Sequence, residues 1–206
     1  MNFLKKRTTM LLLVLLMATQ VFAQRATSEQ IMRRAAEKVS QMNDYISFMA
    51  NKKKNIGTRQ YYKNKALNLF VGRGEAYEEN GVKKEGVMME ITSIKRNSKS
   101  RRLMKDYFQS LINLKYQNVS ITSTDVADIK VSQLQRIDDN LYVCTVYFEQ
   151  AFVGYMDGRP AYKDITRKHV KCYIYVEETE EGIEYMVLLG DVTADETRKK
   201  RQRINP

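Results

Sequence analysis

The chain has 206 residues, a formal net charge of +11 and 43% hydrophobic residues, which is enough for one domain with a hydrophobic core. It contains one histidine and two cysteines. With a single histidine, no H-x-x-x-H spacing and no evident partners for that histidine, we expect neither a histidine-based metal site nor a histidine-dependent catalytic triad. The glycine-rich motifs that bind dinucleotides or nucleotide phosphates are also absent, so we expect neither a metal nor a cofactor.

The first 23 residues have the pattern of a secretory signal peptide. Lys5, Lys6 and Arg7 precede an apolar run from residue 10 to residue 18, and Val21 and Ala23 supply the small or short residues read before cleavage. The apolar run is much shorter than the roughly 20 residues that a membrane-spanning helix needs. We therefore predict cleavage after Ala23, no stable membrane anchor, and a protein that is periplasmic or secreted.

Removing that segment leaves one predicted domain, residues 24–193, and a basic C-terminal tail, residues 194–206. The tail holds five basic residues, so much of the positive charge lies at the two ends of the chain. A solvated tail is the ordinary interpretation of such a segment. The alternative is docking on an anionic polymer or lipid, whereas nucleic acid is not expected as the partner of an exported protein.

Three helices are predicted. Thr27 and Gln30 can form a capping box ahead of the first, in which apolar residues recur every three or four positions until Lys52: Ile31, Ala35, Val39, Met42, Ile46 and Met49. The second should begin at Thr58 and stop at Gly72, and the third should begin at Ser100 and reach Leu114.

Strands make up the rest of the pattern, apart from one strand at residues 87–94 that precedes the third helix. From residue 116 onward, turn residues separate runs rich in β-branched and aromatic residues. An antiparallel meander follows, so the fold class is α+β with N-terminal helices packed on a strongly bent sheet. Its predicted strands cover residues 119–121, 126–137, 141–155, 162–176 and 183–189.

The long hairpin around Asp157-Gly158 contains both cysteines and the histidine. An odd-numbered loop centred on Gly158 places Cys144 opposite Cys172, with one face of the hairpin apolar and the other charged. Facing cysteines lie within reach of a disulfide, which an oxidising compartment favours. Two buried, reduced thiols are the alternative. In this register His169 lies on the solvent side.

The strand of residues 141–155 would extend about 50 Å, so it must bend or overhang, and Gly154 is a candidate bulge. Bending would give the apolar side of the hairpin a concave face beyond the cysteines. Apolar walls with a few polar groups are typical of small-ligand pockets, although a packed core edge or a dimer contact would have the same composition. The residues concerned are Phe148, Gln150, Phe152, Asp164 and Thr166.

Helices followed by a meander of long strands resemble the NTF2-like fold, also known from SnoaL-like and ketosteroid-isomerase-like proteins, over residues 27–192. The resemblance implies either a non-catalytic domain, often a dimer formed through the sheet, or an isomerase or dehydratase with a buried carboxylate base. On the first implication, the protein is an exported, non-enzymatic domain that binds a small apolar ligand or a protein partner, with Tyr107 and Tyr142 joining the concave-face residues. On the second, Asp164 would be the general base and Tyr107 or Tyr142 the donor. We prefer the first, because no catalytic motif accompanies these residues.

Overall fold

A computed structural model describes residues 28–93, 98–125, 128–180 and 182–195. The predicted signal peptide, the Thr27 cap and most of the basic tail lie outside the described residues. Within the described ranges, no helix is both long and apolar enough to cross a membrane.

The first two helices follow the predicted pattern. Helix α1 covers residues 28–50, and all six apolar residues predicted to share one face are buried, none more than 4% exposed. Helix α2, Ile56–Leu67, starts two residues before the predicted Thr58, because the side chain of Asn55 accepts a hydrogen bond from the Thr58 amide and caps the helix. It also ends before Gly72, which lies in a turn with a positive φ.

The predicted start of the third helix at Ser100 is wrong. Helix α3 is Met104–Ile112, and Ser98–Leu103 forms a strand that pairs with Met88–Ser93. Lys99 and Arg101 of this strand form ion pairs with Glu90 and Asp191. These contacts lie across a strand pair and, for Asp191, 90 residues along the chain, so a helical pattern does not indicate them.

The strands of the described residues form one two-stranded hairpin and one eight-stranded sheet. Their bounds are β1 Tyr77–Glu79, β2 Val82–Lys84, β3 Met88–Ser93, β4 Ser98–Leu103, β5 Asn118–Ser123, β6 Lys130–Val131, β7 Gln135–Asp138, β8 Leu141–Met156, β9 Arg159–Thr179 and β10 Gly182–Ala194. Strands β1 and β2 form the hairpin, and the sheet has the order β4-β3-β10-β9-β8-β5, with the short strands β6 and β7 also pairing with β8. Every strand pairing is antiparallel except that of β3 with β10.

The structure thus confirms the α+β class and most of the predicted elements. The predicted strand at residues 126–137 is instead the two short strands β6 and β7, and its first two residues lie outside the described ranges.

The predicted register of the β8–β9 hairpin is confirmed through most of its length, with Cys144 opposite Cys172 and Tyr147 opposite His169. The predicted odd-numbered loop is wrong, however. Asp157 and Gly158 form a two-residue turn, both with positive φ as a type I′ turn requires. The pairing then shifts by one residue between Gly154 and Tyr155, where Ala161 of the opposite strand has no partner, so the extra residue is a bulge in that strand rather than part of the loop.

The predicted disulfide is not formed: Cys144 and Cys172 are free, buried thiols. Both side chains lie in the hydrophobic core, where the Cys172 thiol donates to the Val170 carbonyl at 3.8 Å instead of bonding covalently to the facing sulfur. The hydrogen bond with Cys144, together with burial, raises the pKa of the Cys172 thiol. Cys172 is therefore a protonated core residue.

One face of the hairpin packs against the helices and forms the core with them. The buried side chains on this face include Val146, Phe148, Val170 and Ile174. Arg59 of α2 ties the helices together, since its guanidinium donates to the carbonyls of Met49 and Ile112.

Candidate functional site

A cavity of about 350 Å³ opens between α3 and the helix-facing side of the sheet. It lies where α3, the β3–β4 pair and the outer half of the β8–β9 hairpin meet. Apolar side chains make up much of its wall, and hydroxyl, carboxyl and amino groups enter from the strands. The lining residues are Ile91, Thr92, Ser93, Ser98, Ser100, Arg102, Tyr107, Ser110, Leu111, Leu114, Tyr116, Gln150, Phe152, Tyr162, Asp164, Thr166 and Lys168.

The strand alternation explains why residues distant in number share this wall. Even-numbered residues of β9 from 162 to 168 point to the helix side, as do Gln150 and Phe152 of β8. Phe152 packs edge-on against the ring of Tyr116 and also against Tyr162. These three rings form the aromatic part of the wall.

Five of the seven predicted ligand-binding residues line this cavity: Tyr107, Gln150, Phe152, Asp164 and Thr166. The other two lie elsewhere. Phe148 is buried in the core, 3% exposed, where it pairs with Lys168 across the hairpin. Tyr142 is ten residues from Phe152 along the same strand, about 33 Å at the usual rise, and faces Ile174.

Asp164 is the acidic group of the cavity. It is 8% exposed, and the hydroxyl of Tyr162 donates to its Oδ2 at 2.5 Å. Burial raises the pKa of Asp164, while the Tyr162 hydrogen bond and the charge of Lys168 oppose that rise. The result is a raised pKa in a carboxyl group that has a hydroxyl partner.

Lys168 is the buried basic group of the cavity, whereas Arg102, which also lines it, is exposed. Lys168 is 6% exposed, and its Nζ lies 3.6 Å from the sulfur of Met89 and 5.3 Å from the ring centroid of Tyr107. Burial lowers the pKa of Lys168 to about 8, although the charge of Asp164 acts in the opposite direction.

Tyr107 and Gln150 also belong to the polar part of the wall. Burial, with the charge of Asp164, raises the pKa of Tyr107, so its hydroxyl stays protonated. Gln150 donates from Nε2 to Oδ1 of Asn43 on α1 at 3.1 Å, which fixes its amide between helix and sheet. The cavity thus offers a hydroxyl, an amide, a carboxyl and an amine.

Lys168, Tyr162 and the β3–β4 residues were missed by the sequence reasoning. The predicted register already placed Lys168 opposite Phe148 on the apolar face, and a lysine on such a face is unusual enough to have been a signal. Ser98, Ser100 and Arg102 carry no such signal, because the sequence pattern predicts a loop and the start of a helix there. Among the described residues, no group of three potential metal ligands is found.

The known structures to which this chain is similar share little sequence with it. No family model matches the chain, and no curated protein matches it. It is similar to the crystal structure of a provisionally assigned scytalone dehydratase from Novosphingobium aromaticivorans, with 12% identity, 86% of this chain and 93% of that chain covered, and a TM-score of 0.40. It is also similar to the Kfla4162 protein of Kribbella flavida, with 10% identity, 80% and 93% coverage, and a TM-score of 0.35. At these TM-scores, neither match carries an argument about the site or its chemistry.

Proposed function

We propose that the protein binds a small, largely apolar ligand in the cavity between α3 and the sheet. The observation that carries the proposal is the cavity itself, about 350 Å³ with aromatic and aliphatic walls and a few convergent polar groups. Ligand pockets commonly have about 300–1,000 Å³ and this kind of lining. No step of the proposal requires catalysis.

The experiment is a titration with N-phenyl-1-naphthylamine, a neutral dye whose emission rises in apolar surroundings. Ser110 lines the cavity from α3, so Ser110→Phe should fill part of it. Ser120 is exposed on β5 and does not line the cavity, so Ser120→Phe adds the same ring elsewhere. We expect saturable binding that Ser110→Phe weakens by about tenfold or more, while Ser120→Phe leaves it unchanged. Equal binding by all three proteins would refute the proposal.

A second candidate function is that of an isomerase or lyase in which Asp164 removes a proton next to a carbonyl group. The burial of Asp164, its raised pKa and the adjacent Tyr162 hydroxyl favour it, since a general base near neutral pH needs such surroundings. A ¹³C NMR titration of the Asp164 carboxyl tests this candidate. An ordinary aspartate pKa would eliminate it.

We also propose that the protein is exported and cleaved after Ala23. The support is the sequence pattern alone: a basic start, a short apolar run and small residues before the cleavage position. N-terminal sequencing of the protein recovered outside the cytoplasm should start at Gln24, and an intact Met1 there would overturn the proposal. A homodimer formed through the sheet stays a prediction that sedimentation equilibrium can check.

A further inference from the structure

Lys168 is a buried cation with few partners. Its side chain is 94% buried, since only 6% of its surface is exposed, and it lies on the cavity wall. Within the described ranges, no carboxylate oxygen comes within 4.0 Å of its Nζ. Its one hydrogen-bond acceptor there is the sulfur of Met89, at 3.6 Å.

An ammonium group has three donors, and thioether sulfur is a weak acceptor. The Tyr107 ring at 5.3 Å adds a cation–π contact but no lone pair. The side chains around Lys168 therefore leave most of its hydrogen-bonding capacity unused, and burial of a cation in that state is costly. An oxygen-bearing group that enters the cavity would supply the missing acceptor.

Asp164 does not meet this need. It lies four residues from Lys168 on the same strand, about 13 Å between Cα atoms at the usual rise. Its Oδ2 already accepts from Tyr162. Asp164 and Lys168 therefore lie at different ends of the part of the wall that β9 supplies, with Thr166 between them.

We infer that the ligand carries one carboxylate, which Lys168 binds, on an apolar body that lies against Phe152 and the side chains of α3. This inference rests on the proposed function, because it names the chemical class of ligand for the same cavity. Asp164 at the other end disfavours a second acid group by like-charge repulsion. The ligand class is therefore an apolar monocarboxylate.

The experiment compares two probes of the same shape, 2-naphthoate and its neutral amide, 2-naphthamide, by fluorescence titration. We expect the wild-type protein to bind 2-naphthoate about tenfold or more tightly than 2-naphthamide. Lys168→Met keeps an unbranched side chain, one atom shorter, and removes the charge, so it should abolish this preference and leave the two probes with about equal affinity. The matched control is Lys163→Met, on the same strand but exposed on the opposite face, which should behave as wild type.

The wild-type protein provides a test that does not depend on any variant folding. Since burial lowers the pKa of Lys168 to about 8, the bound carboxylate should hold the proton on the amine, and its affinity should fall as pH rises through 8. Binding of 2-naphthamide should not change over that range. A flat profile for both probes would overturn the inference.

The outcomes separate this inference from the proposed function. The monocarboxylate inference is overturned if the wild-type protein binds the two probes equally, or if its preference for 2-naphthoate survives Lys168→Met. The proposed function still stands in that case, provided that Ser110→Phe weakens binding of the neutral dye. If Ser110→Phe has no effect on the dye, the proposed function fails and the inference fails with it.

Discussion

Arg59 connects all three helices through its side chain. It is 5% exposed, and it donates to the last-turn carbonyls of α1 at Met49, at 2.7 Å, and of α3 at Ile112. Carbonyl groups in the last turn of a helix lack intrahelical hydrogen-bond donors and carry partial negative charge. A guanidinium group supplies both the donors and a positive charge.

Replacing Arg59 should therefore be costly. Arg59→Met leaves two buried carbonyl groups without this donor, and we expect a loss of about 2–4 kcal/mol in the free energy of unfolding. Arg33→Met is the control, because Arg33 makes only an exposed ion pair with Glu37 and should cost at most about 0.5 kcal/mol. Urea unfolding measures both, and equal effects would contradict the role given to Arg59.

The paired thiols give a second prediction for single residues. Cys144 and Cys172 are 2% and 0% exposed, and neither is bonded. Ellman's reagent should therefore react with neither thiol in the folded protein and with both after unfolding in urea. No reaction in urea without reductant would show that a disulfide forms after all.

At the scale of the elements, the carboxylate of Glu79 connects the β1–β2 hairpin to the large sheet through hydrogen bonds. Glu79 of β1 accepts from Lys84 of β2 and from Lys171 and Tyr173 of β9, with Lys171 at 2.9 Å. Burial alone would raise the pKa of Glu79, but the hydrogen bonds from Lys84, Tyr173 and Lys171 outweigh it and lower the pKa to about 2.

This lowered pKa predicts a pH-dependent contribution to stability. The folded-state pKa is below the ordinary value of 4.5, so the contribution is complete above pH 4.5 and is lost as pH falls toward 2. Glu79→Gln should therefore cost about 2 kcal/mol at pH 7 and progressively less below pH 4.5. Glu78→Gln, at an exposed neighbouring position, is the control. A cost for Glu79→Gln that does not change with pH would contradict this account.

Next to the bulge in β9, Gly154 of β8 lies close to the ring of Tyr116. A Cβ on Gly154 would lie 2.7 Å from ring atoms of Tyr116, which is too close without a shift of the ring. We expect Gly154→Ala to cost about 1–3 kcal/mol in the wild-type background. In a Tyr116→Ala background the same change should cost less than about 1 kcal/mol, because the obstructing ring is gone. Equal costs in a double-mutant cycle monitored by urea unfolding would refute the steric explanation.

At the scale of the whole molecule, the parts predicted from sequence are those that local periodicity determines. The apolar stripe of α1 and the cysteine-to-cysteine register of β8 and β9 follow from the 3.6- and 2-residue repeats. Strand β4 could not be predicted in this way, since its residues other than Leu103 are exposed and polar, and its ion pair from Arg101 to Asp191 joins residues far apart in the chain.

For the candidate site, the sequence predicts which side chains share a face of the sheet but not which of them line the cavity. Asp164 and Thr166 reach the cavity wall because strand parity places them there, and the same parity also placed Lys168 on that face. Phe148 and Tyr142 share the face but not the cavity, because the position of α3 along the strands decides which part of the face stays open. That position depends on packing between distant segments, which no local pattern encodes.

The central claim is that the cavity, rather than an exposed apolar surface, binds the ligand. The most direct measurement is the set of intermolecular NOEs from bound N-phenyl-1-naphthylamine to the methyl groups of the protein. We predict contacts to Leu111 and Leu114, which line the cavity. Contacts confined to Ile183 and Met186, which are 53% and 52% exposed, would place the dye on the surface and contradict the account.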